Sequence, residues 1–196
     1  LGTPDSVKRS GQVWYPGTTV IMGIGQGYTT ATPIEVVGWT GAVATGRLVT
    51  PHLGLGRRLD RSSEFTPVAT GSPQPLPFAA GLQPVRDGMR MAVTEGTGTM
   101  LTDIPIEAGG KTGTAEDTSN PDGSTNAWFT CVAPMSSPEV ALTVLVRGGG
   151  EGNMTSEPVA RDILAYYAAH RAQIRETPAL SAGPPPGDGG ARGAFA

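Results

Sequence analysis

Apolar residues recur at helical spacing in three parts of the chain. Thr32 and Glu35 form a capping box, which predicts a helix over about 33–45. Apolar stripes predict two further helices, one over about 84–95 and one that begins near 155 or 156 and ends near 169. The stripe of the last helix consists of Ala160, Ile163, Leu164 and Tyr167. Each stripe marks a face that we expect to be buried against a neighbour.

Three segments with the pattern of strands follow the second predicted helix. IPIEAGGKTGTAE alternates at first and predicts a strand over 109–116, and AWFTCVA predicts a strand over 127–133. EVALTVLVR is apolar on both faces, which predicts a central, covered strand over 139–147. The short APMSSP segment predicts an antiparallel hairpin between the last two strands.

The remaining segments are predicted to be irregular. Turn residues dominate the first 22 positions, and prolines interrupt a loop-rich segment over 54–83. Residues 173–196 are rich in Pro, Gly and Ala and predict a disordered tail. Residues 1–172 are therefore expected to form one domain portion. The chain begins without Met or a signal peptide, so we expect a fragment or a processed chain.

Composition argues against several classes of function. A formal charge of -3, with no run of five like charges, argues against nucleic acid and against a basic membrane-binding face. The sequence contains no stretch of about 18 apolar residues, so no membrane span is predicted. Cys131 is the only cysteine and is expected to be a packed, inert thiol in a strand. His52 and His170 have no metal-ligand spacing, so no metal and no cofactor are predicted.

Lys111 is one of only two lysines, whereas arginine occurs 12 times. The GGKT around it suggests a phosphate-binding loop, but Pro105 stands where that loop requires glycine. GIGQG suggests a dinucleotide loop, but Tyr28 replaces the third glycine. Lys-Thr-Gly alone is a weak signal, and a solvated lysine in a turn is the simplest alternative.

The order of several motifs is more specific than any one of them. GIGQGYTTATPIEVV, GRLVTPHL, AGGKTGTAE, NAWFTCVAP, RGGGEG and EPVARDIL follow one another over about residues 19–168. This order resembles the C-terminal part of the transpeptidase domain of penicillin-binding proteins, most closely the class B enzymes of the elongation type. The resemblance implies an α+β fold, with an antiparallel sheet, covering helices and the lysine motif on an edge strand. We therefore expect a partial transpeptidase or β-lactamase-like fold.

The resemblance also implies the chemistry of a peptidoglycan D,D-transpeptidase. In that family a serine attacks the D-Ala-D-Ala carbonyl, and an amine resolves the acyl-enzyme, with three motifs, Ser-x-x-Lys, Ser-x-Asn and Lys-Thr-Gly. Only the third is present, because Asp5 and Ala108 stand three residues before the two lysines. STN at 124–126 follows the lysine motif instead of preceding it. This chain has no nucleophile and is predicted to be inactive alone.

The resemblance assigns roles to four consecutive residues. Lys111 would supply a positive charge for the substrate carboxylate and the general-base apparatus. Thr112 and Thr114 would offer hydroxyl groups, and Gly113 would leave room for an extended peptide that pairs with the edge. The N–H of Thr114 would be the second oxyanion donor.

The implied partners are the peptidoglycan stem peptide ending in D-Ala-D-Ala, β-lactam antibiotics and a membrane glycan polymerase of the elongation machinery, with no nucleic acid. The implied location is the outer face of the bacterial cell membrane, with an anchor in an N-terminal segment outside this chain. A serine β-lactamase, a non-catalytic β-lactam sensor or binding module and a purely structural β-sheet protein remain as alternatives. GIGQG and RGGGEG favour the transpeptidase over the lactamase.

Overall fold

The computed structural model describes residues 2–52, 56–57, 66–67, 71–117, 119–120 and 122–176. The helices are α1 (Pro4–Arg9), α2 (Pro16–Gly23), α3 (Pro33–Thr45), α4 (Gln83–Thr94) and α5 (Gly152–Glu176). The strands are β1 (Arg47–Leu48), β2 (Gly56–Arg57), β3 (Thr66–Pro67), β4 (Gln74–Pro75), β5 (Gly109–Ala115), β6 (Asn126–Ala133) and β7 (Val140–Val146). Two 3-10 helices cover Ala79–Leu82 and Thr99–Asp103. No helix in these ranges is long and apolar enough to cross a membrane.

The main sheet has the strand order β5-β6-β7, and both of its pairings are antiparallel. Gly113 lies opposite Trp128, and Phe129 lies opposite Val144. The three predicted strands and the predicted hairpin are therefore confirmed. Helices contact β7 on both faces, as predicted for a covered strand. Its predicted central position is wrong for the described residues, because β7 is an edge strand there.

Helices cover both faces of this sheet. On one face, Phe129 and Cys131 are fully buried and pack in one cluster with Ala160 and Leu164 of α5. On the other face, the Thr130 hydroxyl lies 2.6 Å from the Thr40 hydroxyl of α3. The result is an α+β arrangement in which β6 is the centre of the core.

The capped helix over 33–45 is confirmed at both ends. The N–H of Glu35 bonds to the Thr32 hydroxyl, and the Glu35 carboxylate accepts from the N–H of Thr32 at 2.8 Å. Gly46 follows with a φ of 71°, a left-handed conformation that glycine adopts without strain. The start and the end of α3 are thus both encoded by residues next to it in sequence.

The prediction that the first 22 residues are irregular is wrong, because they contain α1 and most of α2. Pro4 and Pro16 stand in the first turns of these helices, where proline is compatible with the missing N–H and the required φ. Thr3 caps α1 by accepting from the N–H of Ser6 at 3.1 Å. The same prolines that indicate turns thus serve as helix starts.

The last helix differs from its prediction at both ends and on one face. α5 begins at Gly152, and non-helical angles at His170 mark a break close to the predicted end at 169. The helix then continues to Glu176, past the predicted start of the tail at 173, and residues 177–196 lie outside the described part. Ala160 and Leu164 of the predicted stripe are buried, together with Ser156, whereas Ile163 is 44% exposed.

Candidate active site

The strand β5 carries the Lys-Thr-Gly motif and pairs with β6 on one side only, within the described residues. Lys111 and Gly113 share a face with their partners Thr130 and Trp128. Thr112 and Thr114 point to the opposite face, where their partners are Phe129 and Ala127. The predicted alternation of the four residues is confirmed.

Two side chains bind the outer carbonyl groups of β5. Lys111 Nζ donates to the carbonyl of Thr112 at 2.7 Å, and Gln26 Nε2 donates to the carbonyl of Thr114 at 3.1 Å. In an antiparallel pair, the N–H and C=O of one residue face the same side of the strand. The N–H groups of Thr112 and Thr114 therefore point away from β6, towards the open edge.

The ammonium of Lys111 is exposed and is bound only by its own strand among the contacts of the described residues. Besides the Thr112 carbonyl, it lies 3.4 Å from the Thr112 hydroxyl. None of the ion pairs in the described ranges includes Lys111. An ammonium has three N–H donors, so Lys111 can bind an incoming anion without breaking an ion pair.

The hydroxyl of Thr112 forms a hydrogen bond with a residue outside β5. It lies 2.6 Å from the hydroxyl of Thr97, in the turn after α4. Thr97 lies outside every predicted helix and strand, and no residue pattern indicates this contact. The structure thus adds Thr97 to the site as a residue that orients Thr112.

Gly113 also has a packing role, in addition to the access for a peptide that the sequence predicts. A Cβ at this position would come within 3.2 Å of the Trp128 Cβ, so a side chain would press on the partner strand. Gly152, the first residue of α5, lies over the same pair, and a Cβ there would be 2.7 Å from the Gly113 carbonyl. Glycine at both positions lets α5 and β6 approach the lysine motif closely.

The loop after β5 is ordered by Asp117. Its carboxylate accepts from the N–H and the hydroxyl of Ser119 and, at 2.9 Å, from Asn126 Nδ2. The bond from the Ser119 hydroxyl, followed by the bond from Asn126 and the bond from the Ser119 N–H, lowers the pKa of Asp117 to about 2. Asn126 Oδ1 in turn accepts from the N–H of Gly148 at 3.0 Å. STN at 124–126 is thus part of a turn-stabilising network, consistent with its position after the lysine motif.

Cys131 lies away from this edge. It is fully buried on the α5 face of β6, and burial raises the pKa of its thiol to about 12. A thiol in this environment is not a nucleophile at neutral pH, because its thiolate form is disfavoured. The prediction of a packed, inert cysteine is confirmed.

These elements form an α+β arrangement whose antiparallel sheet carries Lys-Thr-Gly on the edge strand of the described residues. The family model described as the penicillin binding protein transpeptidase domain matches residues 2–165. The chain belongs to this family.

Curated relatives agree with this assignment. The chain is 31% identical over 183 residues to the peptidoglycan D,D-transpeptidase MrdA of Haemophilus influenzae. This alignment covers 84% of this chain and 28% of the relative. It is 28% identical over 162 residues to MrdA of Escherichia coli, with 74% and 25% covered. The chain thus spans about a quarter of the length of these two relatives.

Solved structures give the same result. The penicillin-binding protein PBP2 from Helicobacter pylori has a TM-score of 0.63 and 30% identity, with 87% of this chain and 29% of that chain covered. A chain from a peptidoglycan synthase complex described as coordinating polymerization and crosslinking has a TM-score of 0.68 and 31% identity, with 86% and 28% covered. The predicted fold and the resemblance to an elongation-type transpeptidase domain are confirmed.

Proposed function

We propose that this chain is the C-terminal part of a peptidoglycan D,D-transpeptidase and that its β5 edge binds the substrate. The observation that carries the proposal is the open edge itself, where the ammonium of Lys111 and the N–H of Thr114 lie on one short strand. The names of the MrdA relatives support the reaction class. An extended stem peptide could pair with such an edge as an added strand.

In this proposal the four motif residues act on two parts of the substrate. Lys111 attracts the terminal carboxylate, and the hydroxyls of Thr112 and Thr114 donate to it. Gly113 keeps the backbone accessible. The N–H of Thr114 donates to the oxyanion that forms when the serine attacks the carbonyl, together with the N–H of the serine itself.

The serine, its lysine partner and the Ser-x-Asn motif belong, in this proposal, to the part of the relatives that this chain does not cover. Acylation joins the serine oxygen to the carbonyl carbon and releases D-alanine, and an amine from a second stem peptide then displaces the serine. This chain alone should not acylate, since neither of its lysines follows a serine by three positions.

The proposed location is the outer face of the bacterial cell membrane, with the anchor in a segment outside this chain. A membrane glycan polymerase is the proposed partner. Two solved relatives support a protein partner, since one belongs to a peptidoglycan synthase complex and the other, from Helicobacter pylori, is in complex with MreC.

A fluorescent penicillin tests the proposal in the full-length protein that contains this segment. We expect a covalent band that survives boiling in detergent and is lost after pretreatment with unlabelled penicillin. The isolated chain of 196 residues is the matched control and should give no band. A full-length protein that stays unlabelled would contradict the proposal, and rapid hydrolysis of the acyl-enzyme would identify a β-lactamase instead.

A further inference from the structure

The turn after α2 reaches the open edge of β5 through a single side chain. Gln26 Nε2 donates to the Thr114 carbonyl at 3.1 Å, a contact between residues 88 positions apart. None of the residues of α2 is buried. The contact therefore links an exposed helix directly to the proposed oxyanion donor.

The main chain around Gln26 is held in a fixed conformation. The N–H of Gln26 donates to the Ile21 carbonyl at 3.2 Å, and the Gln26 carbonyl accepts from the N–H of Thr29 at 3.4 Å. Gly25 and Gly27 have φ values of 81° and 68°, which other residues adopt only with strain. The two glycines and the two hydrogen bonds thus fix the main chain from which the Gln26 side chain extends to Thr114.

The bond to Thr114 acts on the orientation of that residue. The C=O and N–H of Thr114 face the same open side, so a donor on the carbonyl restrains rotation of the peptide groups on both sides of the Cα. The ladder between β5 and β6 ends at the pair of Ala115 and Asn126, one residue after Thr114. Restraint from outside the sheet is most effective at such a position.

We propose that Gln26 is a positioning residue that holds the Thr114 N–H at the angle needed to bind the oxyanion. This inference rests on the proposed transpeptidase function. A carboxamide suits the task because the acceptor is a carbonyl, which needs a donor, and because a neutral donor leaves the charge of the site to Lys111. A carbonyl oxygen has two lone pairs, so the Thr114 carbonyl can still accept a bond from a substrate amide.

The test is Gln26→Met in the full-length protein, because methionine has a similar length and no donor. The rate constant for acylation by a penicillin should fall about three- to tenfold, the loss expected for one neutral hydrogen bond, while the affinity of the initial complex stays unchanged. Gln12→Met is the matched control, since Gln12 is an exposed glutamine in the turn after α1, and it should acylate at the parental rate.

A spectroscopic measurement separates positioning from a general structural role. The infrared band of a carbon-13-labelled acyl carbonyl reports the hydrogen bonds in the oxyanion site, and in Gln26→Met it should broaden and move to higher frequency. A parental rate with an unchanged band would overturn the inference and leave the proposed function intact. A lower rate with a lower Tm but an unchanged band would also overturn it. A parental protein that is not acylated would overturn the proposed function and this inference with it.

Discussion

The main sheet and α2 differ in how far their apolar residues are buried. In the sheet and α5, Phe129 and Leu164 are completely buried. In α2, Val20 is 72% exposed and Ile24, directly after the helix, is 77% exposed. Both regions are apolar in sequence, so composition does not decide burial. The difference lies in the neighbouring elements, because α3 and α5 cover the sheet whereas no residue of α2 is buried within the described part of the chain.

This contrast indicates that stability and ligand binding depend on different regions of the molecule. The main sheet packs against α3, α4 and α5, and these contacts should determine the free energy of unfolding of the described core. The β5 edge is different, since it has exposed polar groups that contribute little to folding and are available to a ligand. The following predictions test that division, from the largest expected effect to the smallest.

The largest effect is expected for Phe129→Ala in the full-length protein. Removing a fully buried phenylalanine leaves a cavity between the sheet and α5, and the free energy of unfolding should fall by about 3–5 kcal/mol. Val20→Ala is the matched control on α2, and the exposure of Val20 predicts a change within about 0.5 kcal/mol. Denaturant unfolding measures both. A loss above 1 kcal/mol for Val20→Ala would show that another part of the protein covers α2.

Lys111→Ala should lower the rate of acylation without lowering stability, whereas Phe129→Ala should lower stability. It removes an exposed charge from the β5 edge, so acylation by penicillin should slow by about 10²- to 10³-fold while the melting curve stays unchanged. Lys111→Arg should restore only part of the rate, because a planar guanidinium does not replace a compact ammonium. Stopped-flow acylation and thermal melting check both variants.

Lys8→Ala is the control for Lys111→Ala, because Lys8 is the other lysine and lies exposed in the last turn of α1. It should acylate at the parental rate. Equal acylation rates for Lys111→Ala and the parent would show that Lys111 is an ordinary surface lysine.

Sequence predicts the elements whose signals are local. Thr32, Glu35 and Gly46 lie within a few residues of the ends of α3, so the capping rules place both ends correctly. The strands at 126–133 and 140–146 are recognisable because β-branched and aromatic residues are concentrated there. The family motif on β5 is equally local, and its four residues alternate as a strand requires.

Sequence does not predict the features that depend on distant residues. The contact from Gln26 to Thr114 joins positions 88 apart, and the pair of Thr97 and Thr112 joins positions 15 apart. No periodicity reports such contacts, because they depend on how the elements pack. The error at α1 and α2 has a different cause, since proline indicates both a turn and a helix start.

Glu157 should make the stability of the core depend on pH. It is 1% exposed, and burial raises the pKa of its carboxyl, partly offset by the bond from the Met100 N–H to Oε1 at 2.8 Å. A raised pKa means that the folded protein holds this proton more tightly than the unfolded chain. The resulting stabilisation is complete below the unfolded pKa and is lost as the pH rises through the folded pKa.

Glu157→Gln removes this dependence, because the amide keeps an acceptor for Met100 and does not ionise. The Tm of the parent should fall relative to that of the variant as the pH rises from about 4 to 8. Asp117→Asn is the contrasting variant with the opposite sign. The pKa of Asp117 is lowered to about 2, so its contribution is lost as the pH falls towards that value. Parallel Tm curves for parent and Glu157→Gln would contradict the assignment.

The smallest effect is expected at the C-terminus, where two truncations can be compared. Ending the protein after Glu176 removes only the Pro- and Gly-rich segment 177–196, which has no apolar periodicity, and should change neither Tm nor penicillin labelling. Ending it after Ala169 also removes Arg171, whose guanidinium binds the carboxylate of Glu139 beside β7. The shorter protein should have a slightly lower Tm, because Arg171 is partly exposed and surface ion pairs contribute little to stability. A fall of several degrees in Tm for the truncation after Glu176 would show that the segment 177–196 binds elsewhere on the protein. Equal Tm values for the two truncations would show that the pair between Arg171 and Glu139 contributes nothing to stability.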